Sequence, residues 1–133
     1  MSYAASASLQ AAIFAHLSGY PALSGVKIVD AMPPAATAGS FVLIGPEAVR
    51  DQSDKTGFGA EHRLEISVIS DVSGFTTAKS IAGAVSTALI DADLTLTTGT
   101  LISLSFIRAT ARRIEEGVTR RIDMTFRARV QIS

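Results

Sequence analysis

From Arg121 to Ile132 the chain alternates without a break. Ile122, Met124, Phe126, Ala128, Val130 and Ile132 are apolar, while Arg121, Asp123, Thr125, Arg127, Arg129 and Gln131 are polar. A period of two belongs to an extended strand, whose successive side chains point to opposite faces; on a helix the same residues would be scattered around the axis. One face of this strand is core and the other is charged. The preceding residues 101–113 form a second long apolar-rich stretch, and Glu115-Glu116-Gly117 between the two reads as the turn of a β-hairpin.

The rest of the chain can be placed around that hairpin. Leu9, Ile13 and Leu17 recur every four residues and predict a helix over 4–17, stopped by Gly19 and Pro21. A short strand over 26–32 ends at Pro33-Pro34. Residues 40–44 (SFVLI) read as an apolar strand ended by Gly45-Pro46. Residues 47–59 (EAVRDQSDKTGFG) show no sustained period and many turn formers, so a long exposed loop is expected there. Leu64, Ile66 and Val68 alternate with Arg63, Glu65 and Ser67 in a half-buried strand. Ala78, Ile81, Ala82, Val85, Ala88 and Leu89 then mark a second helix over 76–90, with Thr76 or Thr77 as its N-cap. The fold class expected is α+β, with two helices packed on a largely antiparallel sheet that ends in a long C-terminal β-hairpin. At 133 residues, one domain spanning 1–133 is expected.

Charge is unevenly distributed in a chain whose net charge is zero. Arg112, Arg113, Arg120, Arg121, Arg127 and Arg129 all lie in the last 22 residues. From Leu101 onward seven arginines face three carboxylates, leaving +4, so the preceding 100 residues carry −4. Guanidinium groups are not buried unpaired, so these must meet water, a partner or a polyanion. A molecule with one basic and one acidic region can also attract copies of itself head to tail.

The chemistry of catalysis is not found. There is no cysteine, which excludes disulfides and thiolate sites. His16 and His62 lie on different elements with no metal-ligand spacing, and each reads as a lone surface or boundary histidine. Asp51-Gln52-Ser53-Asp54-Lys55 opens like a calcium loop, but Lys55 takes a ligand position and His62 stands where a bidentate glutamate is needed. Gly57-Phe58-Gly59 lacks the residues that cradle phosphate, and no nucleophile elbow is present. No cofactor and no enzymatic activity are expected. The N-terminal residues 1–20 lack the basic start of a signal peptide and read as a mature helix. No stretch approaches the roughly 20 apolar residues that cross a bilayer, and no membrane partner is expected.

Taken in order, these features resemble the tail terminator or tail-completion family of long-tailed phages and gene transfer agents. The resemblance is carried by VLIGPE (residues 42–47), Asp51-x-Ser53-x-Lys55, and Gly59 before LEISVIS. It continues through Ala78-Lys79-x-Ile81-Ala82-x-Ala84-Val85, Leu94-x-Leu96 with Gly99, and Arg112, to Gly117-x-Thr119-Arg120 and Phe126-Arg127-Ala128. No single motif is specific; their spacing is, and it covers about nine-tenths of the chain.

The resemblance implies a structural virion protein, assembled in the bacterial cytoplasm, that caps the tail tube as a hexameric ring. Its partners would be further copies of itself, the tail tube protein and the head–tail connector (stopper or adaptor), with DNA passing through the channel without sequence-specific binding. Two sites follow as expectations. Arg112, Arg113, Arg120, Arg121, Arg127 and Arg129 would face either the acidic groups of a neighbour, such as Asp51, Asp54 or Glu65, or the channel. The loop carrying Asp51, Ser53, Asp54, Lys55, Gly57 and Gly59 would dock to the tube or the connector. A small α+β nucleic-acid- or ligand-binding module is the alternative outside assembly.

Overall fold

A computed structural model of the chain describes residues 3–32, 39–53, 57–71, 74–114 and 119–132. The elements in order are α1 (Ser6–Ser18), a 3-10 turn (Pro21–Leu23), β1 (Lys27–Val29), β2 (Ser40–Asp51), β3 (Phe58–Ser70), α2 (Thr76–Leu89), β4 (Thr100–Ile114) and β5 (Thr119–Ile132). The five strands form one sheet in the order β1-β2-β3-β5-β4, parallel only at β1–β2 and antiparallel elsewhere. This is the α+β arrangement, with the long C-terminal strands, that the sequence predicts. No described helix is long and apolar enough to cross a membrane.

Both helices lie on the same face of the sheet. Leu9, Ile13 and Leu17 of α1 and Ala78, Ala82, Val85, Ala88 and Leu89 of α2 share a core with Val42, Ile44, Leu64, Ile66, Val68, Ile122, Met124, Phe126, Ala128 and Val130. Strand alternation accounts for the membership, because every sheet residue in this group belongs to the inward-facing set of its strand. On the opposite face a small satellite cluster joins Phe41, Leu43 and Ile69, with Val29 against it.

Three local expectations are corrected. β2 does not end at Gly45-Pro46. It runs on to Asp51 through a register shift between Ile44 and Glu47, where the proline, which has no N–H to give the ladder, is accommodated. The 47–59 loop shrinks accordingly: residues 47–51 pair with 60–64 as strand, and the connection is confined to residues 52–57. Its polar sequence disguised a strand end whose β2 residues stay exposed or half-buried. At α2 the N-cap position is Phe75, and no side chain caps the helix.

Phe126 is fully buried, and Phe106 of β4 packs edge-on against it with centroids 5.7 Å apart. Phe126→Ala is expected to cost about 3–5 kcal/mol, the usual penalty for emptying a large core position. Phe106→Ala, at a residue 41% exposed, should cost only about 1 kcal/mol. Urea midpoints of the two variants measure the contrast.

Candidate functional site: the bare face of the sheet

The ladder registers decide where each arginine goes. Residues opposite one another across a ladder share a face, so Phe41, Ile69, Arg121 and Arg112 form one row across β2, β3, β5 and β4. Leu43, Ser67, Asp123 and Thr110 form the next, and Arg50, Glu61, Arg129 and Ser103 another. All of these lie on the face that carries no helix. Among the described residues this face bears Lys27, Arg50, Arg63, Arg108, Arg112, Arg121, Arg127 and Arg129 against only Glu61, Glu65 and Asp123.

The six hairpin arginines of the sequence analysis therefore do not share one face. Arg112, Arg121, Arg127 and Arg129 are on the bare face. Arg113 and Arg120 pair across β4 and β5 on the helix-bearing face, where the Arg120 guanidinium sits 5.4 Å from the ring centroid of Phe75 at the start of α2. The alternation starting at Arg121 contains this signal, since Arg120 has the parity of Ile122.

The three carboxylates are not spread evenly among the cations. Asp123 accepts hydrogen bonds from Arg121 Nε (2.7 Å), Ser67 Oγ (2.6 Å) and Arg112 Nε and Nη2 (both 3.3 Å). Burial pushes its pKa up, but the hydrogen bonds from Ser67, Arg121 and Arg112 outweigh burial and hold it below the ordinary value. Glu61 is almost fully covered. It accepts from Arg63 Nε at 2.9 Å and Gln52 Nε2 at 3.2 Å, and Arg50 Nη2 lies 3.7 Å away. Its pKa is lowered, chiefly by the Arg63 hydrogen bond. Two carboxylates thus hold four guanidinium groups in place. Arg108 and Arg127, both exposed, make no hydrogen bond or ion pair among the described residues.

The second candidate site lies at the described base of the β2–β3 hairpin. The Gln52 N–H donates to Gly59 O at 2.7 Å, Ser53 Oγ donates to Asp51 Oδ1 at 2.7 Å, and the Gly59 N–H reaches Ser53 Oγ at 3.4 Å. Arg129 clamps this base from β5, with Nη1 donating to Gln52 Oε1 at 2.6 Å and Nη2 to the Gln52 carbonyl at 3.3 Å. A Cβ on Gly59 would stand 3.0 Å from the Gln52 carbonyl oxygen and 3.2 Å from Arg129 Nη2, and one on Gly57 would stand 3.0 Å from Gln131 Nε2. Both glycines therefore have a close-approach reason to be there, which the expectation of a long exposed loop did not contain. Asp54 and Lys55 lie outside the described residues.

Sequence reasoning missed one polar cluster altogether. His62 is no boundary residue. It is fully buried on the helix-bearing face, and its Nδ1 donates to Glu47 Oε2 at 3.0 Å. The other carboxylate oxygen, Oε1, accepts from Ser6 Oγ at 2.6 Å, which ties the first turn of α1 to β2 and β3. His62 Nε2 has no hydrogen-bond partner among the described residues. Burial raises the Glu47 pKa, yet hydrogen bonds from Ser6, His62 and Tyr3 bring it below the ordinary value. His16 makes an unrelated contact, its Nε2 donating to the Ala88 carbonyl at 2.9 Å between the two helices. Among the described residues no three His, Asp or Glu side chains gather as a metal site would require.

With this geometry the comparisons with known proteins can be read. The family described as tail completion protein gp17 matches residues 11–131. The chain belongs to that family. It is a structural tail protein. A solved structure titled "Virion of native gene transfer agent (GTA) particle" contains a chain 53% identical to this tail completion protein. The match covers 98% of this chain and 99% of that one, with a TM-score of 0.89. Comparison with curated proteins gives no match.

The lowered carboxylates predict the acid response. A carboxyl group whose folded pKa lies below its unfolded one adds stability above the unfolded value and loses it as pH falls through the folded value. The unfolded values here are 4.5 for Glu47 and 3.8 for Asp123. Folding stability should therefore be level above about pH 5 and fall on further acidification. Glu47→Gln and Asp123→Asn should each cost about 1–3 kcal/mol at pH 7 and show a shallower acid loss. Urea unfolding at pH 7 and at pH 3 reads both effects.

Proposed function

We propose that this chain, acting as one domain over residues 1–133, caps the end of a tail tube as a ring of identical subunits. In doing so it ends tube polymerisation and joins the tail to the head-side connector of a phage or gene transfer agent particle, assembled in the bacterial cytoplasm. The observation that carries this reading is the end-to-end correspondence with a chain of a gene transfer agent virion, 53% identical over 98% of this sequence. The family's description as a tail completion protein supports a role at the end of tail assembly.

The bare basic face adds a role within such a ring. Asp123 and Glu61 are already engaged within the subunit, so Arg108 and Arg127 remain as charge that another molecule must meet. In a ring that passes DNA, phosphates supply the missing anions, and contact through guanidinium groups on a strand face carries no sequence information. The hairpin tip around Asp51, Ser53, Gly57 and Gly59, braced by Arg129, is then a preformed projection for docking to the tube or the connector.

The decisive experiment adds the purified chain to tail tubes and examines them by electron microscopy. Rings on one tube end, with elongation stopped, are expected; tubes that stay uncapped and keep growing overturn the reading. Shortening the tip by deleting residues 53–57 should abolish tube or head joining while leaving the unfolding free energy from urea titration within about 1 kcal/mol of wild type. A second measurement addresses the face. Arg108→Glu with Arg127→Glu should leave capping intact and weaken duplex DNA binding, reducing the slope of log affinity against log salt by about 2, one for each lost phosphate contact. An unchanged slope would remove DNA from this face.

A further inference from the structure

The helix α1 is apolar well beyond its buried stripe. Leu9, Ile13 and Leu17 face the core, but Ala7, Ala11 and Phe14 are exposed on the outer side, continuing from Tyr3, which is 68% exposed. A helix that is apolar on both sides is ordinarily covered on both sides. Its flanks show which way the bare side looks. On one flank Ser8 Oγ donates to the Thr98 carbonyl and His16 to Ala88 of α2. On the other, Gln10 Nε2 donates to Asp30 Oδ2 at 3.3 Å just after β1. Tyr3, Ala7, Gln10, Ala11, Phe14 and Asp30 line an open groove there, directed away from α2 and out past the β1 edge of the sheet.

The other edge of the sheet has the opposite character. β1 spans three residues, whereas β4, the far edge strand, spans 15 and is paired only with β5. A long edge strand leaves a row of backbone donors and acceptors without a strand partner, a liability that proteins cover or blunt. β4 also exposes Ile102 (51%) and Phe106 (41%), because α2 reaches it only slightly.

We propose that the groove between α1 and Asp30 receives the β4 edge of a second copy of this chain, with Ile102 and Phe106 entering the groove. Two observations select a second copy as the occupant. The two apolar patches lie at opposite edges of one sheet, which suits a head-to-tail contact that repeats from subunit to subunit. An edge-to-edge contact also leaves the bare basic face uncovered, available to whatever passes the ring. This inference rests on the ring reading above and specifies which surfaces build the ring.

The absence of native cysteine makes the test clean. Ala11→Cys and Ile102→Cys are placed on one chain, with Phe14→Cys and Phe106→Cys as a second pair. The full-length proteins are oxidised alone and on tail tubes, then run on denaturing gels. Either double variant should give a ladder of crosslinked oligomers, while each single variant stays monomeric, because a head-to-tail contact brings together only unlike positions. Dimers from A11C alone or I102C alone would mean a like-to-like contact and overturn the proposal. Rings that cap tubes without any crosslink overturn it too, leaving the capping function standing and assigning the groove to the tube or the connector. A ladder formed by chains that do not cap tubes sustains the contact and removes the capping role. Neither ladder nor capping removes both.

Discussion

The constraint on which the rest depends is that two helices cannot cover both faces of a five-stranded sheet. They cover one, and the hydrophobic core from Leu9 to Val130 gathers there. The other face must be made compatible with water or a partner by its own side chains, and on β5 strand alternation delivers one polar residue for every core residue. That is why the run from Ile122 to Val130 and the run from Arg121 to Arg129 are a single fact. Neither set can change by one position without turning the whole strand over.

Arginine is a particular solution to that demand. A guanidinium offers a flat fork of donors that reaches along the strand or across it, so Arg63 and Arg50 converge on Glu61, and Arg121 and Arg112 converge on Asp123. The long stems lie over the sheet and shield the carboxylates, leaving Glu61 5% exposed and Ser67 fully buried on a face that carries no helix. Exposed pairs of this kind contribute only about 0–1 kcal/mol each, so their main effect is order. They fix a lattice of cations in place before any partner arrives, and a preorganised surface gives up less entropy on binding.

Much of this was legible in the sequence, and the reasons for success and failure differ by element. β5 and both helices were readable because each is half buried, and half burial writes a period into the residues; β3 was readable from the alternation of Leu64, Ile66 and Val68 although most of the strand is buried. The distal half of β2 was not, because residues 47–51 extend past the apolar core and are polar on most sides; nothing in EAVRD separates a wet strand from a loop. His62 was misread for a related reason. Its position has the parity of Leu64 and Ile66, which points it inward, but the partner that makes burial tolerable is Glu47, 15 residues away on the neighbouring strand. Pairing across strands is set by register, and the bulge at Gly45-Pro46 shifts that register just where it was needed. The arginine face was visible as a cluster, and its division between two faces was implicit in parity. What parity could not show is which cations are consumed by carboxylates and which are left over.

That division between consumed and surplus charge bears on how such a protein can be both an assembly unit and a conduit. If the cations of the bare face supplied the subunit contact, they would be buried against a neighbour, and their desolvation would have to be repaid by pairs of good geometry. The surface that most needs cover lies elsewhere, along the edge strand β4 and the outer side of α1, where Ile102, Phe106 and Phe14 are exposed. Apolar area is suited to holding subunits together, since its burial is favourable without demanding exact pairing. Charge is suited to a face that must hold a polyanion weakly and let it pass, because such contacts are sequence-independent and screened by salt. A sheet with helices on one side separates the two demands by geometry: its edges are free to bind neighbours while its bare face stays open.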